Sequence, residues 1–400
     1  MRAAVKLLPK TPHRVLHGHP WVFANEVESV EGTYSPGDIV EVRSARGDFL
    51  GLGYINPRSA ILVRILSRED REIDRGFFRD RLEQAIELRR SAFGTRDLRD
   101  SEAGFRLVFS EADFLPGLIV DMFAGYVSFQ TLTLGIDRWK DCLVENLREL
   151  LSPKGIYERN DAPIRELEGL GQQAGYIGQA FDPLVEMDEY GVRVLVDIQK
   201  GQKTGYFLDQ GENRLELRRF VTGKEVLDAF SYSGGFGLSA ARGGARKVVC
   251  VDQSQAALDL ARASAERNGF SEKFVWRCAN AFDVLREYER DGASFDVVVL
   301  DPPAFARSRR TVEKALAGYK EINLRAMKVL RDGGFLCTSS CSQHVLPEEF
   351  DAMLLDAARD AGKSLRVLEK RGQRADHPVL AGVPETEYLK CRICQVQAVS

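Results

Sequence analysis

The chain has 400 residues, 44% of them hydrophobic, and a formal net charge of -3 at pH 7. This length predicts two or three globular domains, and charged residues keep every apolar stretch shorter than the roughly 20 residues of a membrane helix. The amino end lacks the apolar block of a secretory signal. The seven cysteines are an odd number, as expected for free thiols in a reducing compartment. We therefore expect a cytoplasmic protein with no membrane partner.

Short runs typical of β-strands fill the first 72 residues. They span residues 38–43, 49–55 and 61–66, and clusters of glycine, proline, arginine and aspartate separate them. Residues 1–72 are therefore predicted to form a small β-rich domain.

Residues 73–190 mix helical and extended patterns. Apolar residues recur at helical spacing in residues 75–93 and 136–151. The segments typical of strands are 106–109, 118–121, 126–131 and 155–158. This middle part is predicted to form a central α+β domain.

Strands and helices alternate in residues 191–400. This alternation predicts an α/β fold with a mostly parallel, doubly wound sheet of the Rossmann type. Ligand sites in such sheets lie beyond the carboxyl ends of the strands. We therefore expect the functional side chains of this domain at those ends.

A glycine-rich segment follows the predicted strand that ends at Asp228. Gly235 and Gly237 precede a predicted helix, so the backbone there can approach a ligand closely. The next strand ends in Asp252, where a carboxylate can accept hydrogen bonds from the ribose of an adenosine cofactor. Gly235 to Ala240 fit the pattern G-x-G-x-x-A, so a nicotinamide enzyme is one alternative. Another is that the glycines only form a tight turn and that Asp252 only caps the following helix. The longer loop after Asp228, however, resembles the S-adenosylmethionine site of class I methyltransferases.

Two further polar side chains follow later strands. Asn280 lies at the level where this fold offers an amide or an acid to adenine, and a helix cap is its alternative role. The buried run 295–300 ends in Asp301-Pro302-Pro303, and the two prolines stiffen the loop that carries the carboxylate. In nucleic-acid methyltransferases this position holds the target base.

Cys341 follows the next predicted strand and emerges at the same edge as Asp301. Carbon 5 of cytosine is not nucleophilic, so an enzyme that methylates it must first add a nucleophile to carbon 6, and a thiolate does this well. A lone cysteine is more often a small buried apolar residue, but its place beside Asp301 favours catalysis. Methylation of an exocyclic amine is the rival, yet that class has an aromatic residue directly after the second proline, where Ala304 stands here.

Ordered motifs along essentially the whole chain resemble the bacterial large-subunit ribosomal RNA cytosine-5 methyltransferases of the RlmI type. They lie at residues 19–23, 115–118, 157–161, 203–210, 228–237, 301–305, 318–323, 338–342, 376–378 and 384–390. The resemblance implies a PUA domain, which is a small RNA-binding β-barrel, at residues 1–72. It further implies a central α+β domain at 73–190 and a Rossmann-like methyltransferase domain at 191–400.

The resemblance also implies the cofactor, the partner and the site. The cofactor is S-adenosyl-L-methionine and the partner is RNA from the large ribosomal subunit, while a homodimer is a further expectation and no metal is expected. The catalytic residues are predicted to be Cys341 and Asp301. The cofactor-binding residues are predicted to be Phe207, Asp209, Gln210, Asp228, Phe230, Ser231, Gly234, Gly235, Asp252, Gln253, Asn280, Ala281 and Asp301.

Two points stay open at the level of the sequence. The Asp301 loop has no second cysteine, so the base that removes the carbon-5 proton is not identified, and Ala304 stands where many relatives have lysine. A non-catalytic RNA-binding factor is the alternative outside enzymology. It predicts that replacing Cys341 leaves the cellular function intact.

Overall fold

Alternating apolar side chains account for the first sheet of the structure, a computed structural model that describes residues 2–9, 13–94, 98, 101–306 and 308–399. Its elements are β1 (Ala4–Leu7), α1 (His13–Leu16), β2 (Trp21–Phe23), β3 (Val27–Glu31), β4 (Ile39–Arg43), β5 (Phe49–Ile55) and β6 (Ile61–Ser67). The sheet order is β2-β6-β5-β4-β1-β3, and only β1 and β4 pair in parallel. Val40 and Val42 in β4 are fully buried, as the alternation predicts. The three predicted strands of this region are confirmed as β4, β5 and β6.

A second, five-stranded sheet follows with its helices. The elements are α2 (Arg75–Phe93), β7 (Gly104–Phe109), β8 (Leu118–Phe123), β9 (Tyr126–Thr131), α3 (Leu134–Asp137), α4 (Lys140–Leu151), β10 (Gly155–Asn160), α5 (Ile164–Leu167) and β11 (Gln173–Tyr176). Their strand order is β11-β10-β9-β8-β7. The helical pattern predicted over 136–151 is confirmed for Lys140–Leu151, and the chain breaks at residues 138–139, between α3 and α4. Trp139 lies at this break and packs its ring 4.8 Å from that of Phe78.

The chain divides into two compact units. The first comprises Met1–Met187, Val196–Leu208 and Ala375–Thr386, and the second comprises Asp188–Leu195, Asp209–Arg374 and Glu387–Ser400. Strands β12 (Leu184–Asp188) and β13 (Arg193–Asp197) form a two-stranded sheet in the segment where the division falls. The domain boundaries at residues 72 and 190 stay predictions.

The second unit is built on a seven-stranded sheet. Its elements are α6 (Gly211–Leu217), β14 (Glu225–Ala229), α7 (Gly235–Arg242), β15 (Lys247–Asp252), α8 (Gln255–Arg267), β16 (Phe274–Cys278), α9 (Ala281–Arg290), β17 (Phe295–Leu300), α10 (Val312–Val329), β18 (Leu330–Ser340), α11 (Pro347–Asp360), β19 (Lys363–Arg371) and β20 (Lys390–Ala398). The order is β16-β15-β14-β17-β18-β20-β19. The first five strands are parallel, and β20 is antiparallel to both of its neighbours. This is the predicted doubly wound sheet.

The order in which the chain adds strands reverses at β14, which has β15 on one side and β17 on the other. Such a switch point opens a crevice at the carboxyl ends of the strands, where ligands of α/β sheets bind. In the described ranges, every helix is too short or too polar to cross a membrane.

Candidate active site

The strand register brings the predicted polar side chains to one edge of the sheet. Ala229 at the end of β14 is level with Val251 in β15 and with Leu300 in β17. Asp252 and Asp301 therefore follow on either side of the same strand end. The residues gathered at this edge are Asp228, Asp252, Asp301 and, after β18, Cys341.

The loop between β14 and α7 has the backbone shape that its glycines predict. Phe230, Tyr232 and Gly234 have φ angles of 67°, 48° and 77°, so the chain turns three times through the left-handed region. The Gly234 amide donates to the Ser231 carbonyl over 2.8 Å, and Gly235 begins α7. The turn directs the amide of Gly237 at the Oδ2 atom of Asp228, 2.8 Å away. The strand end and the helix start are thus joined through one carboxylate.

Asp228 is buried without a second partner for its carboxylate. Its side chain belongs to a residue that is 1% exposed, and in the described part of the chain Oδ1 accepts no hydrogen bond. The pKa of Asp228 is raised to about 8, mainly by burial; the Gly237 amide lowers it, and the carboxylates of Asp301 and Asp252 add to the increase. An orphaned acceptor among three carboxylates fits a ligand with cationic groups, as S-adenosylmethionine has in its ammonium and sulfonium.

Asp252 and Asn280 are fixed by backbone amides. The Asp252 oxygens accept from the amides of Tyr232 at 2.8 Å and Ser254 at 2.9 Å. Asn280 caps α9, since its Oδ1 accepts from the Phe282 amide at 2.9 Å. Asn280 therefore has the capping role given above as its alternative. Its side-chain NH₂ group is the part of Asn280 that could bind a ligand. Two neighbours of these residues were also predicted to bind the cofactor: the exposed Gln253 and the buried Ala281.

A chain of side chains orients Asp301. The Gln210 Nε2 atom donates to Asp301 Oδ1 over 2.7 Å, and the Gln210 oxygen accepts from Asn213 Nδ2 over 2.6 Å. Arg371 completes the chain by donating from Nε to the Asn213 oxygen at 3.0 Å. Gln210 is only 2% exposed, so its amide cannot rotate freely and Asp301 is held in one orientation. Gln210, which was predicted to bind the cofactor, therefore holds Asp301, the carboxylate predicted to bind the base.

Asp209 and Phe207 were also predicted to bind the cofactor. Asp209 accepts a hydrogen bond from the Tyr388 hydroxyl over 2.5 Å in the second unit. Phe207 belongs to the first unit, where the Lys203 ammonium lies 4.5 Å from the centre of its ring.

Cys341 lies half-buried beyond the end of β18, with its sulfur 3.9 Å from the Pro302 carbonyl oxygen. The next residue, the fully buried Ser342, anchors this loop: its hydroxyl accepts from the Ala306 amide at 3.1 Å and bonds to the Tyr319 hydroxyl at 2.9 Å. The cysteine loop and the Asp301 loop are therefore tied together, and the thiol has a defined place beside the carboxylate.

Lys390 and Tyr319 were not singled out from the sequence. Lys390 is 4% exposed and donates to the carbonyls of Ser342 at 2.7 Å and Tyr388 at 2.8 Å. Burial lowers the pKa of Lys390 to about 8. Both residues stand inside motifs of the resemblance, at 318–323 and 384–390, which is the signal that identifies them as candidates.

In the described part of the chain, none of the seven cysteines forms a disulfide, and Cys391 and Cys394 are buried. Over the described ranges, no group of three or more histidine, cysteine, aspartate or glutamate side chains is arranged to hold a metal ion.

Comparison with known proteins gives the domain order predicted from the sequence, a PUA-like domain followed by a methyltransferase domain. Residues 5–68 match the PUA-like domain family, and residues 177–390 match the S-adenosylmethionine-dependent methyltransferase family. The chain is 42% identical over 400 residues to a Vibrio cholerae protein named ribosomal RNA large subunit methyltransferase I, covering 99% of this chain and 100% of the relative. An Erwinia tasmaniensis protein of the same name is 40% identical over 385 residues, with 96% of each chain covered.

A solved structure supports the fold independently. The methyltransferase SMU.776 in complex with SAH covers 98% of this chain and 99% of its own, with a TM-score of 0.83 at 21% sequence identity. The predicted family, fold class and cofactor are confirmed by these matches, and the nicotinamide alternative is removed. The chain therefore belongs to the ribosomal RNA large subunit methyltransferase I family of S-adenosylmethionine-dependent methyltransferases and carries a PUA-like domain at its amino end.

Proposed function

We propose that this chain methylates carbon 5 of a cytosine in large-subunit ribosomal RNA, with Cys341 as a transient covalent nucleophile. The observation that carries the proposal is the position of the Cys341 sulfur, 3.9 Å from the Pro302 carbonyl in the loop of Asp301. A nucleophile and a polar group that can hold a base are thereby neighbours at the cofactor edge of the sheet.

S-adenosylmethionine, when bound, supplies an electrophilic methyl group on a sulfonium. The residues that would hold it are Asp228 through its orphaned Oδ1, Asp252 toward the ribose and Asn280 toward the adenine. Gly234 has a φ of 77°, which glycine adopts without strain, and it shapes the loop that would face the cofactor.

The chemistry assigned to the protein side chains begins with the base taken out of its stack. The Cys341 thiolate adds to carbon 6, a carbon–sulfur bond forms, and the displaced electron pair makes carbon 5 nucleophilic. Asp301 holds the ring through hydrogen bonds, and the Gln210 amide keeps that carboxyl in position. After carbon 5 has been methylated and has lost its proton to a base, the carbon–sulfur bond breaks and the thiolate is restored.

The surroundings of Phe305 weigh against the exocyclic-amine rival. Amine methylation relies on an aromatic side chain that stacks on the extruded base. The Phe305 ring instead packs 4.5 Å from the ring of Tyr319 and 5.9 Å from that of Phe282, so it is occupied within the protein. Ala304, which precedes it, offers no aromatic surface.

The RNA substrate is proposed from the family. The named relatives act on large-subunit ribosomal RNA, and a PUA-like domain is present at residues 5–68. Such a substrate goes with the predicted cytoplasmic location, and the predicted homodimer stays a prediction.

Transfer of a labelled methyl group tests the proposal. Purified protein is incubated with labelled S-adenosylmethionine and unmodified large-subunit ribosomal RNA, and the RNA is digested to nucleosides. We expect label in 5-methylcytidine with wild type and none with Cys341→Ala, while Cys278→Ala, which removes an exposed cysteine in the same unit, serves as the matched control. Label in another nucleoside, or undiminished transfer by Cys341→Ala, would return the amine-methylating rival, and no transfer by the wild type would return the non-catalytic alternative.

A further inference from the structure

We propose that Lys390 is the positioning residue that holds Cys341 as a thiolate, a role that rests on the proposed function of Cys341 as nucleophile. The ammonium stays protonated, the S–H bond breaks, and the proton leaves to the solvent. The resulting anion is held beside a fixed cation, and it returns to that state each time the carbon–sulfur bond breaks.

Lys390 contacts the chain on both sides of Cys341. In the β18–β20 ladder, Lys390 is paired with Ser340, the residue before Cys341. Its Nζ atom donates to the carbonyl of Ser342, the residue after Cys341, over 2.7 Å. These two contacts hold the Lys390 side chain against the backbone segment that carries Cys341.

The ammonium has no carboxylate to balance it. An ammonium has three N–H donors, and two of them meet the neutral carbonyls of Ser342 and Tyr388. Within the part of the chain that the structure describes, Lys390 makes no third hydrogen bond and no ion pair with a carboxylate within 4.0 Å. A buried cation without an anion is unstable, so this arrangement calls for a negative partner.

Of the acidic side chains around Lys390, Glu387 is exposed to solvent and Glu349 is bonded elsewhere, so Cys341 is assigned as that partner. The Cys341 sulfur raises the pKa of Lys390 more than Glu387 or Glu349 does, while Arg392 lowers it together with burial. Glu349 is engaged by the Leu346 amide at 2.8 Å, and Arg392 by Asp351 at 2.6 Å.

Two further titratable groups lie near Cys341: Tyr319 on α10, whose hydroxyl bonds to Ser342, and Asp301, whose loop holds the Pro302 carbonyl 3.9 Å from the sulfur. Burial raises the pKa of the Tyr319 phenol, so it stays neutral. The Asp301 carboxylate opposes a thiolate, and the Lys390 ammonium offsets that charge. A pKa of about 8 keeps Lys390 largely protonated at pH 7.

Alkylation of the individual cysteines tests this pairing without cofactor or RNA. The full-length protein is treated with iodoacetamide from pH 6 to pH 10, and mass spectrometry follows the peptides of Cys341 and of the exposed Cys278. In wild type we expect the midpoint of the Cys341 rate profile about one pH unit or more below that of Cys278, because a neighbouring cation favours the thiolate. Lys390→Met should slow Cys341 at pH 7 about tenfold and leave Cys278 unchanged.

The charge-preserving variant and the wild type keep the test decisive. Lys390→Arg should retain most of the reactivity of Cys341, and circular dichroism with cofactor titration verifies that each variant is folded. A wild-type Cys341 midpoint at or above that of Cys278 would overturn the proposal with no variant needed, and so would an unchanged Cys341 profile in folded Lys390→Met. If the pairing holds and no 5-methylcytidine forms, the proposed function fails and the pairing stands.

Discussion

Replacing Asp228 by asparagine is expected to stabilise the cofactor-free protein while weakening its hold on S-adenosylmethionine. Asparagine keeps the acceptor for the Gly237 amide, which lies 2.8 Å from the carboxylate, but it cannot ionise. The wild-type carboxyl has a folded-state pKa of about 8, raised mainly by burial, against 3.8 for a free aspartate. The Asp228 carboxylate therefore lowers the stability of the cofactor-free protein, and a cationic ligand compensates for its buried charge.

The sign and size follow from proton linkage. Below pH 3.8 the carboxyl is neutral in both states; above it the unfolded chain ionises while the folded chain keeps its proton up to about pH 8. Stability is therefore lost as pH rises through this window, by about 1.4 kcal/mol per pH unit. Between pH 5 and pH 8 the wild type should lose up to about 4 kcal/mol through this group, and Asp228→Asn should not.

Urea unfolding followed by circular dichroism at pH 5, 6, 7 and 8 measures this difference, and titration calorimetry measures cofactor affinity. The matched control is Asp252→Asn, which takes a carboxylate from the amides of Tyr232 and Ser254 and should destabilise by about 1–3 kcal/mol. A gap between wild type and Asp228→Asn that stays constant with pH, or undiminished cofactor affinity, would refute the reasoning.

Three further outcomes follow from the same geometry. Gln210→Ala removes the 2.7 Å hydrogen bond that orients Asp301, so steady-state assays should find kcat lowered about tenfold with little change in cofactor affinity; an unchanged kcat would contradict this. Gly237→Ala puts a methyl group 2.7 Å from the Cys250 sulfur, and urea titration should find about 1–3 kcal/mol less stability, whereas full stability would show that the helix shifts freely. Wild-type cofactor affinity should rise with pH up to about 8, as Asp228 ionises, and a flat calorimetric profile would argue against that role.

The sheet of the second unit could be predicted because its strands carry continuous apolar runs that end in polar residues. Val297–Leu300 in β17 is such a run, with Asp301 immediately after it. Periodicity could not predict β19 (Lys363–Arg371), which is largely exposed and alternates poorly, so only its pairing with β20 defines it. The break between α3 and α4 could not be predicted for a similar reason, because the contact of Trp139 with Phe78 arises only in the tertiary structure.

The candidate site was predictable in its strand-end residues and not in its connections. Asp228 and Asp252 stand at the carboxyl ends of their strands, so their edge is fixed by topology. The link from Gln210 to Asp301 spans 91 residues, and the approach of Lys390 to Ser342 spans 48. Contacts of this kind depend on strand order and side-chain rotamers, which leave no local pattern in a single sequence.

The most direct test of the central claim is to trap the covalent adduct. Large-subunit ribosomal RNA containing 5-fluorocytidine is incubated with the protein and S-adenosylmethionine; fluorine at carbon 5 cannot leave as a proton, so the carbon–sulfur bond persists. The account predicts a stable protein–RNA adduct whose peptide maps to Cys341, and none with Cys341→Ala. No adduct with wild type under conditions where unmodified RNA is methylated, or an adduct that maps to another cysteine, would contradict it.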